Sequence, residues 1–162
     1  MTKQYLTFSL NGKIYAINVF QVQEVLTYVE PTKLPCTAAH IEGLINSRNQ
    51  GITVVNFRKK FALEDCEVTK FTRIIVIELP SPTSEDEKHV TLFGAVADSV
   101  NEVIEIDDET IEPPPKFGNA ISAEFITGIC KKEDSFISIL DIEKVFAEES
   151  ATTIAPSEVP AE

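Results

Sequence analysis

Two stretches of this chain repeat each other, and that repeat limits what it can fold into more than any single motif does. Ile41-Glu42-Gly43-Leu44-Ile45 followed by Gly51 to Phe61 matches Ile126-Thr127-Gly128-Ile129-Cys130 followed by Phe136 to Phe146 at a constant offset of 85. Ahead of them, Tyr15-Ala16-Ile17 with Val22-Gln23-Glu24-Val25-Leu26 matches Phe93-Gly94-Ala95 with Val100-Asn101-Glu102-Val103-Ile104 at an offset of 78. Two copies are too few for a solenoid, so the repeat predicts two similar small units packed face to face about a pseudo-twofold axis. Chance similarity between short strands is the competing explanation.

A chain of 162 residues has the length of one domain. Each half, with roughly 60 ordered residues, lies near the lower limit for independent stability, so the halves are expected to share an apolar interface and unfold as one unit. The 26 acidic and 14 basic residues give a formal net charge of −12. Long-range repulsion from phosphates then disfavours nucleic acid and anionic bilayers as partners, and favours a basic or apolar protein patch. Cys36, Cys66 and Cys130 are odd in number and form no C-x-x-C pair, which fits a reducing cytoplasm. No apolar run approaches the length of a membrane span, and no signal segment is expected at the N-terminus.

Tyr5, Thr7 and Ser9 alternate with Leu6, Phe8 and Leu10, and Asn11-Gly12 supplies a two-residue turn into a second strand. Val19, Val22, Val25 and Leu26 have helical spacing, which predicts a short helix from about Phe20 to Val25. A helical turn is also expected at 37–40, strands at Gly43–Asn46 and Ile52–Val55, a basic helical turn at Arg58-Lys59-Lys60, and a buried strand at Arg73–Leu79. Pro80 to His89 reads as a solvated loop, Val90–Val96 and Val103–Ile106 as strands, and Glu112-Pro113-Pro114-Pro115 as an extended link. A last hairpin, Phe125–Lys132 with Phe136–Leu140, leads to a helical turn at Ile142–Phe146. Residues 148–162 read as a disordered acidic tail. Many short strands with few helices predict an all-β protein built as two small barrels.

Chemistry is sparse. The chain has two histidines, His40 and His89, and lacks the nucleotide-loop and zinc-protease motifs. The acidic runs Glu85-Asp86-Glu87 and Asp107-Asp108-Glu109 lack calcium-loop spacing and read as solvated surface. No catalytic residue, metal or cofactor is expected. A small β-barrel enzyme using Cys36 and His40 is the remote alternative. Arg48, at the end of a strand and before Asn49-Gln50-Gly51, displays a charged fork suited either to a partner's carboxylate or to a salt bridge within the fold.

Gln4 to Gly12, Tyr15-Ala16-Ile17, Val22-Gln23-Glu24-Val25, Thr32-Lys33-Leu34-Pro35 and Ile41 to Arg48 resemble, in order and spacing, the bacterial chemotaxis coupling family CheW. Asp98 to Val103, Ile111 to Pro115, Phe125 to Ile129 and Ile139 to Lys144 continue the resemblance, which covers about Gln4 to Phe146. It implies two intertwined five-stranded β-barrels in one domain over 1–147, with barrel 1 at about 18–80 and barrel 2 at about 4–17 plus 90–147. It also implies a non-catalytic cytoplasmic adaptor, recruited to membrane-associated arrays. There it would join the cytoplasmic tip of methyl-accepting chemotaxis receptors to the regulatory domain of the histidine kinase CheA, in rings that can include other CheW copies.

The family's contact region falls on Val22, Glu24, Thr32, Gly43, Asn46 and Arg48. Val22 would give an apolar contact, Glu24 and Arg48 charged register, and Gly43 close backbone approach. Val22 and Gly43 could equally serve the core or a strand bend. The family's usual Asn-Leu-Arg-Gly is Asn46-Ser47-Arg48-Asn49 here, and its proline and aspartate further on are Thr53 and Asn56. These departures leave room for a divergent adaptor of a pilus or gliding pathway.

Overall fold

In the computed structural model the described residues are 2–33, 40–47, 50–61, 63, 67–80, 90–113, 125–132 and 135–146. The expected helical turn at 37–40, apart from His40, the loop at 81–89, the turn at 133–134 and the tail at 148–162 lie outside them. The first repeat contributes β1 (Thr2–Leu10), β2 (Lys13–Asn18), β3 (Val22–Thr27), β4 (Ile41–Ser47), β5 (Gln50–Asn56) and the helical turn α1 (Phe57–Lys60). The second contributes β6 (Arg73–Pro80), β7 (Val90–Ala97), β8 (Ser99–Asp107), β9 (Ile126–Lys132), β10 (Ser135–Leu140) and α2 (Ile142–Val145). The expected β-rich architecture holds. One expected helix does not: over Phe20 to Val25 there is only a 3-10 turn, Val19–Gln21, before β3 begins. The β-branched valines favour the extended strand, where their side chains pack against β6 across the ladder.

The repeats are not the barrels. Barrel 1 has the strand order β3-β6-β7-β5-β4 and barrel 2 the order β8-β1-β2-β10-β9. Each repeat therefore gives strands to both, and the orders correspond position by position under the pseudo-twofold. Strand β7, expected in barrel 2 as part of 90–147, belongs to barrel 1. It pairs antiparallel with β6 along its length and parallel with β5, Thr53 opposite Phe93. The matching parallel seam in barrel 2 sets Ile14 opposite Ile137.

Three apolar cores follow from this exchange. Ile104, Ile106, Ile137 and Ile139 fill barrel 2, and Ile45, Ile52, Val54, Ile74 and Val76 fill barrel 1. Between the barrels lies a larger shared core of Leu6, Phe8, Ile17, Phe57, Ile75, Ile77, Phe93, Phe146 and their neighbours. Strands that are buried on both faces lose their polar alternation, which is why Ile74-Ile75-Val76-Ile77 is continuous. Phe146, next to α2, stacks on Phe93 at 4.7 Å and meets Phe57 of α1 at 5.8 Å, so both helical turns plug the shared core. Each turn is capped alike: Asn56 Oδ1 accepts from Lys59 N–H at 3.2 Å, and Asp141 Oδ1 from Lys144 N–H at 3.2 Å. Asparagine in place of the family's aspartate thus keeps the cap.

In each sheet the link that follows one outer strand, β3 or β8, makes a single backbone bridge to the opposite outer strand, β4 or β9. In barrel 1 Thr32 and Leu44 exchange N–H···O bonds of 2.8 Å; in barrel 2 Glu112 and Ile129 exchange bonds of 2.9 and 2.7 Å. Beside each bridge the repeat carries a glycine. A Cβ on Gly43 would sit 2.0 Å from the Thr32 carbonyl oxygen, and one on Gly128 would sit 2.8 Å from that of Glu112 and 2.4 Å from Ile111 Cγ2. Gly43 also has φ +139°, a conformation side chains rarely adopt.

A polar clasp ties the barrels at the β7–β8 corner. The Asp98 carboxylate accepts from Arg58 Nε at 2.9 Å and Asn11 N–H at 2.9 Å, and Asp98 N–H donates to the Ser9 carbonyl at 3.0 Å. Burial raises the Asp98 carboxyl pKa, but the hydrogen bonds from Arg58 and Asn11 and the Arg58 charge outweigh it and hold it below the ordinary carboxylate value.

Gly43→Ala is expected to lower the unfolding free energy by about 3 kcal/mol in urea titration, through strain and clash. Gly51→Ala, with open space around it, should change it by less than about 0.5 kcal/mol. Because the folded Asp98 pKa is depressed, its contribution is complete above the unfolded carboxyl pKa of about 4 and is lost as pH falls through the folded value. Asp98→Asn should therefore flatten the decline of stability below about pH 4, as read by thermal unfolding across that range.

Candidate functional site

Five of the six residues singled out in the sequence fall on β3, β4 and the link between them. β3 and β4 stand at opposite ends of the strand order of barrel 1, and the curl of the sheet brings them together. Val22 is half-buried and packs against the shared core. Glu24, one position beyond a bulge in the β3–β6 ladder, shares its side of the strand with Leu26, which packs on the interior of barrel 1. Its carboxylate oxygen Oε2 accepts from the Ser47 hydroxyl of β4 at 3.4 Å, across the mouth of the barrel. Thr32 is exposed, and its backbone makes the closing bridge to Leu44. Gly43 is buried under that bridge, so the close backbone approach it permits is that of Thr32 in the same chain. Asn46, next to Ser47, is exposed. Arg48 lies outside the described residues.

The end of barrel 1 formed by Glu24, Asn46 and Ser47 thus gathers polar groups that are far apart in sequence. Its pseudo-twofold mate in barrel 2 is built differently. The bulge recurs between Val100 and Val103, where Thr7 Oγ1 donates to Glu102 O at 2.7 Å and accepts from Glu102 N–H at 3.1 Å. The mouth there is a hollow of 390 Å³ with Ile14, Ile104 and Ile137 on its wall and Ser9, Asn101 and Glu102 at its rim.

Sequence reasoning overlooked an apolar component. Val25 is 39% exposed and its mate Val103 is 49% exposed, each beside the shared core, while Phe20, on the crossover from barrel 2 to barrel 1, is 82% exposed. Helical spacing concealed Val25. The bulge at Gln23 resets the strand alternation, so Glu24 and Leu26 turn toward the interior of barrel 1 while Val22 and Val25 turn the other way, and the 78-residue offset then points to Val103.

The titratable groups show the electrostatics of a folded scaffold. Burial pushes the Tyr5, Tyr15 and Tyr28 hydroxyls up. A hydrogen bond from the Glu109 amide holds Asp107 down. Among the described residues no three metal-ligating side chains are grouped. His40 is described, with its carbonyl accepting from Asn56 N–H at 2.7 Å, whereas Cys36 is not.

A family model for the CheW-like domain matches residues 4–150. The chain belongs to that family. The chemotaxis protein CheW of Bacillus subtilis (strain 168) is 30% identical over 156 residues, covering 96% of this chain and 94% of that protein. That of Treponema pallidum (strain Nichols) is 27% identical, covering 94% and 86%. The crystal structure of the scaffolding protein TtCheW from Thermoanaerobacter tengcongensis superposes with a TM-score of 0.78 at 36% identity, over 90% of this chain and 88% of that one. CheW-like proteins are non-catalytic scaffolds of chemotaxis, and the chain is an adaptor of this kind, not an enzyme. The reading built on Cys36 and His40 is thereby set aside.

Substitution at the two kinds of position should separate packing from display. Val22→Ala is expected to cost about 1 kcal/mol of unfolding free energy, and Asn46→Ala less than about 0.5 kcal/mol, by denaturant titration of each variant.

Proposed function

We propose that this adaptor couples the cytoplasmic tip of methyl-accepting chemotaxis receptors to the regulatory domain of a CheA-type histidine kinase. The observation that carries the reading is the convergence of β3 and β4, from opposite ends of the strand order, on one end of barrel 1 within a chain of the CheW-like family. Glu24 and Asn46 supply polar and charged contacts at that end, Val22 and Thr32 flank it, and Arg48 adds a charged contact to the partner. Gly43 acts through the bridge that sets the spacing of β3 and β4. Rigid strands hold Val22, Glu24 and Asn46, so their docking costs little ordering entropy.

The adaptor works in the cytoplasm, recruited to membrane-associated arrays by its partners. Among the described residues no helix is long and apolar enough to cross a membrane, in keeping with attachment through protein contacts. Individual contacts are modest, and repetition in an array makes them strong.

Calorimetric titration of the purified protein with the kinase regulatory domain at moderate salt should give saturable binding near one to one. Arg48→Glu should weaken it by about tenfold, ~1.4 kcal/mol, while leaving the β signature and unfolding midpoint unchanged. Absence of binding by folded wild-type protein would reject the coupling role. Unchanged binding by the Arg48 variant to kinase and receptor would remove Arg48 from the interface.

A further inference from the structure

We infer that the outer face of barrel 2 carries a second docking surface, Phe136 between Lys131 and Lys13, for a protein segment that presents an apolar side chain flanked by carboxylates. This rests on the coupling role proposed above, since an adaptor that holds two partners at once needs a surface besides the end of barrel 1. Lys131 of β9 stands opposite Phe136 of β10 in the antiparallel ladder. On the other side of β10, Ile137 is in parallel register with Ile14 of β2, which sets Lys13 beside Phe136. Ile14, Cys130 and Ile137 belong to the interior of barrel 2, so strand alternation turns Lys13, Lys131 and Phe136 outward. All three are exposed, Phe136 to 64%.

The fold does not need this row. At the matching positions of barrel 1 the chain has Asn46, Gly51 and Thr91, with Asn46 opposite Gly51 in the ladder. That barrel forms with no charge and no large side chain there. Among the described residues neither Lys13 nor Lys131 forms an ion pair. In a chain with 26 acidic and 14 basic residues, two such cations beside an exposed aromatic reverse the prevailing charge locally. Adjacent strands are spaced so that β9 and β2 stand about 10 Å apart across β10. A carboxylate on each side of an apolar residue therefore meets both ammonium groups while the apolar side chain covers the ring, the aromatic-anchor arrangement of protein interfaces. An anionic bilayer also offers negative charge, but two lysines are too few to hold it against a net charge of −12.

The test is calorimetric titration against the kinase regulatory domain and, separately, against a receptor cytoplasmic-tip fragment, with the unfolding midpoint of each variant measured in parallel. Phe136→Ser should weaken binding to one of these proteins roughly tenfold, and Phe136→Leu, which keeps an apolar side chain, should retain most of the affinity. Lys13→Glu combined with Lys131→Glu should weaken binding to the same protein roughly tenfold, and the loss should shrink as salt is raised. Midpoints should stay unchanged because all three side chains are exposed. Several results would overturn the inference: wild-type affinity of both variants for both proteins, tighter binding on charge reversal, or a loss that follows a lowered midpoint. Binding of the wild-type protein to phosphatidylserine vesicles, abolished by the charge reversal, would assign the row to a lipid surface and overturn it as well. In each of these the coupling role itself stands. Failure of the wild-type protein to bind either protein would remove both.

Discussion

Two pairs of backbone hydrogen bonds, Thr32 with Leu44 and Glu112 with Ile129, turn two open sheets into barrels. Each ties an outer strand, β4 or β9, to the link that follows the opposite outer strand, β3 or β8. The bridges bring backbone so close to β4 and β9 that a side chain beside them is excluded, and in both repeats that place is held by glycine. The bulges next to Gly43 and Gly128 serve the same geometry. One extra residue in each strand, Glu42 or Thr127, bends the chain so that the bridge can form.

Closure also makes the two repeats inseparable. Neither repeat owns a barrel, and each parallel seam joins a strand of one to a strand of the other. The shared core draws Phe57 and Phe146 from the ends of both repeats, so its formation requires both to be in place. The candidate site inherits its rigidity from this arrangement, since Glu24 and Ser47 are positioned by strands whose other faces are already committed.

Much of this was legible in the sequence because it depends on local chemistry. The Asn11-Gly12 turn, the apolar run of β6 and the helical turns after β5 and β10 are written in their own residues. The duplicated Ile-x-Gly pattern marked the strands that close the barrels, although the meaning of its glycine needed the position of Thr32. What was not legible depends on partners distant in the chain. Val19, Val22, Val25 and Leu26 have a helical period, yet ladder pairing with β6 decides for a strand. The membership of β7 in barrel 1 is set by its pairing with β5 and β6, and nothing within Val90–Ala97 announces it. The Glu24–Ser47 contact joins strands adjacent only after closure, so a one-dimensional reading found Glu24 by resemblance and passed over Ser47.

The parallel seam of barrel 2 has a consequence for how the protein is made. Strands of barrel 1 all lie before residue 98, whereas β2 must wait for β10 before its second edge is covered. During synthesis barrel 1 can close while the N-terminal hairpin, apolar on both faces, is still without its neighbours. Contacts of such long sequence separation form late and slowly, and they leave sticky strands exposed meanwhile. The strand exchange that joins the two repeats therefore leaves apolar strands of the nascent chain uncovered until its last hairpin has been made.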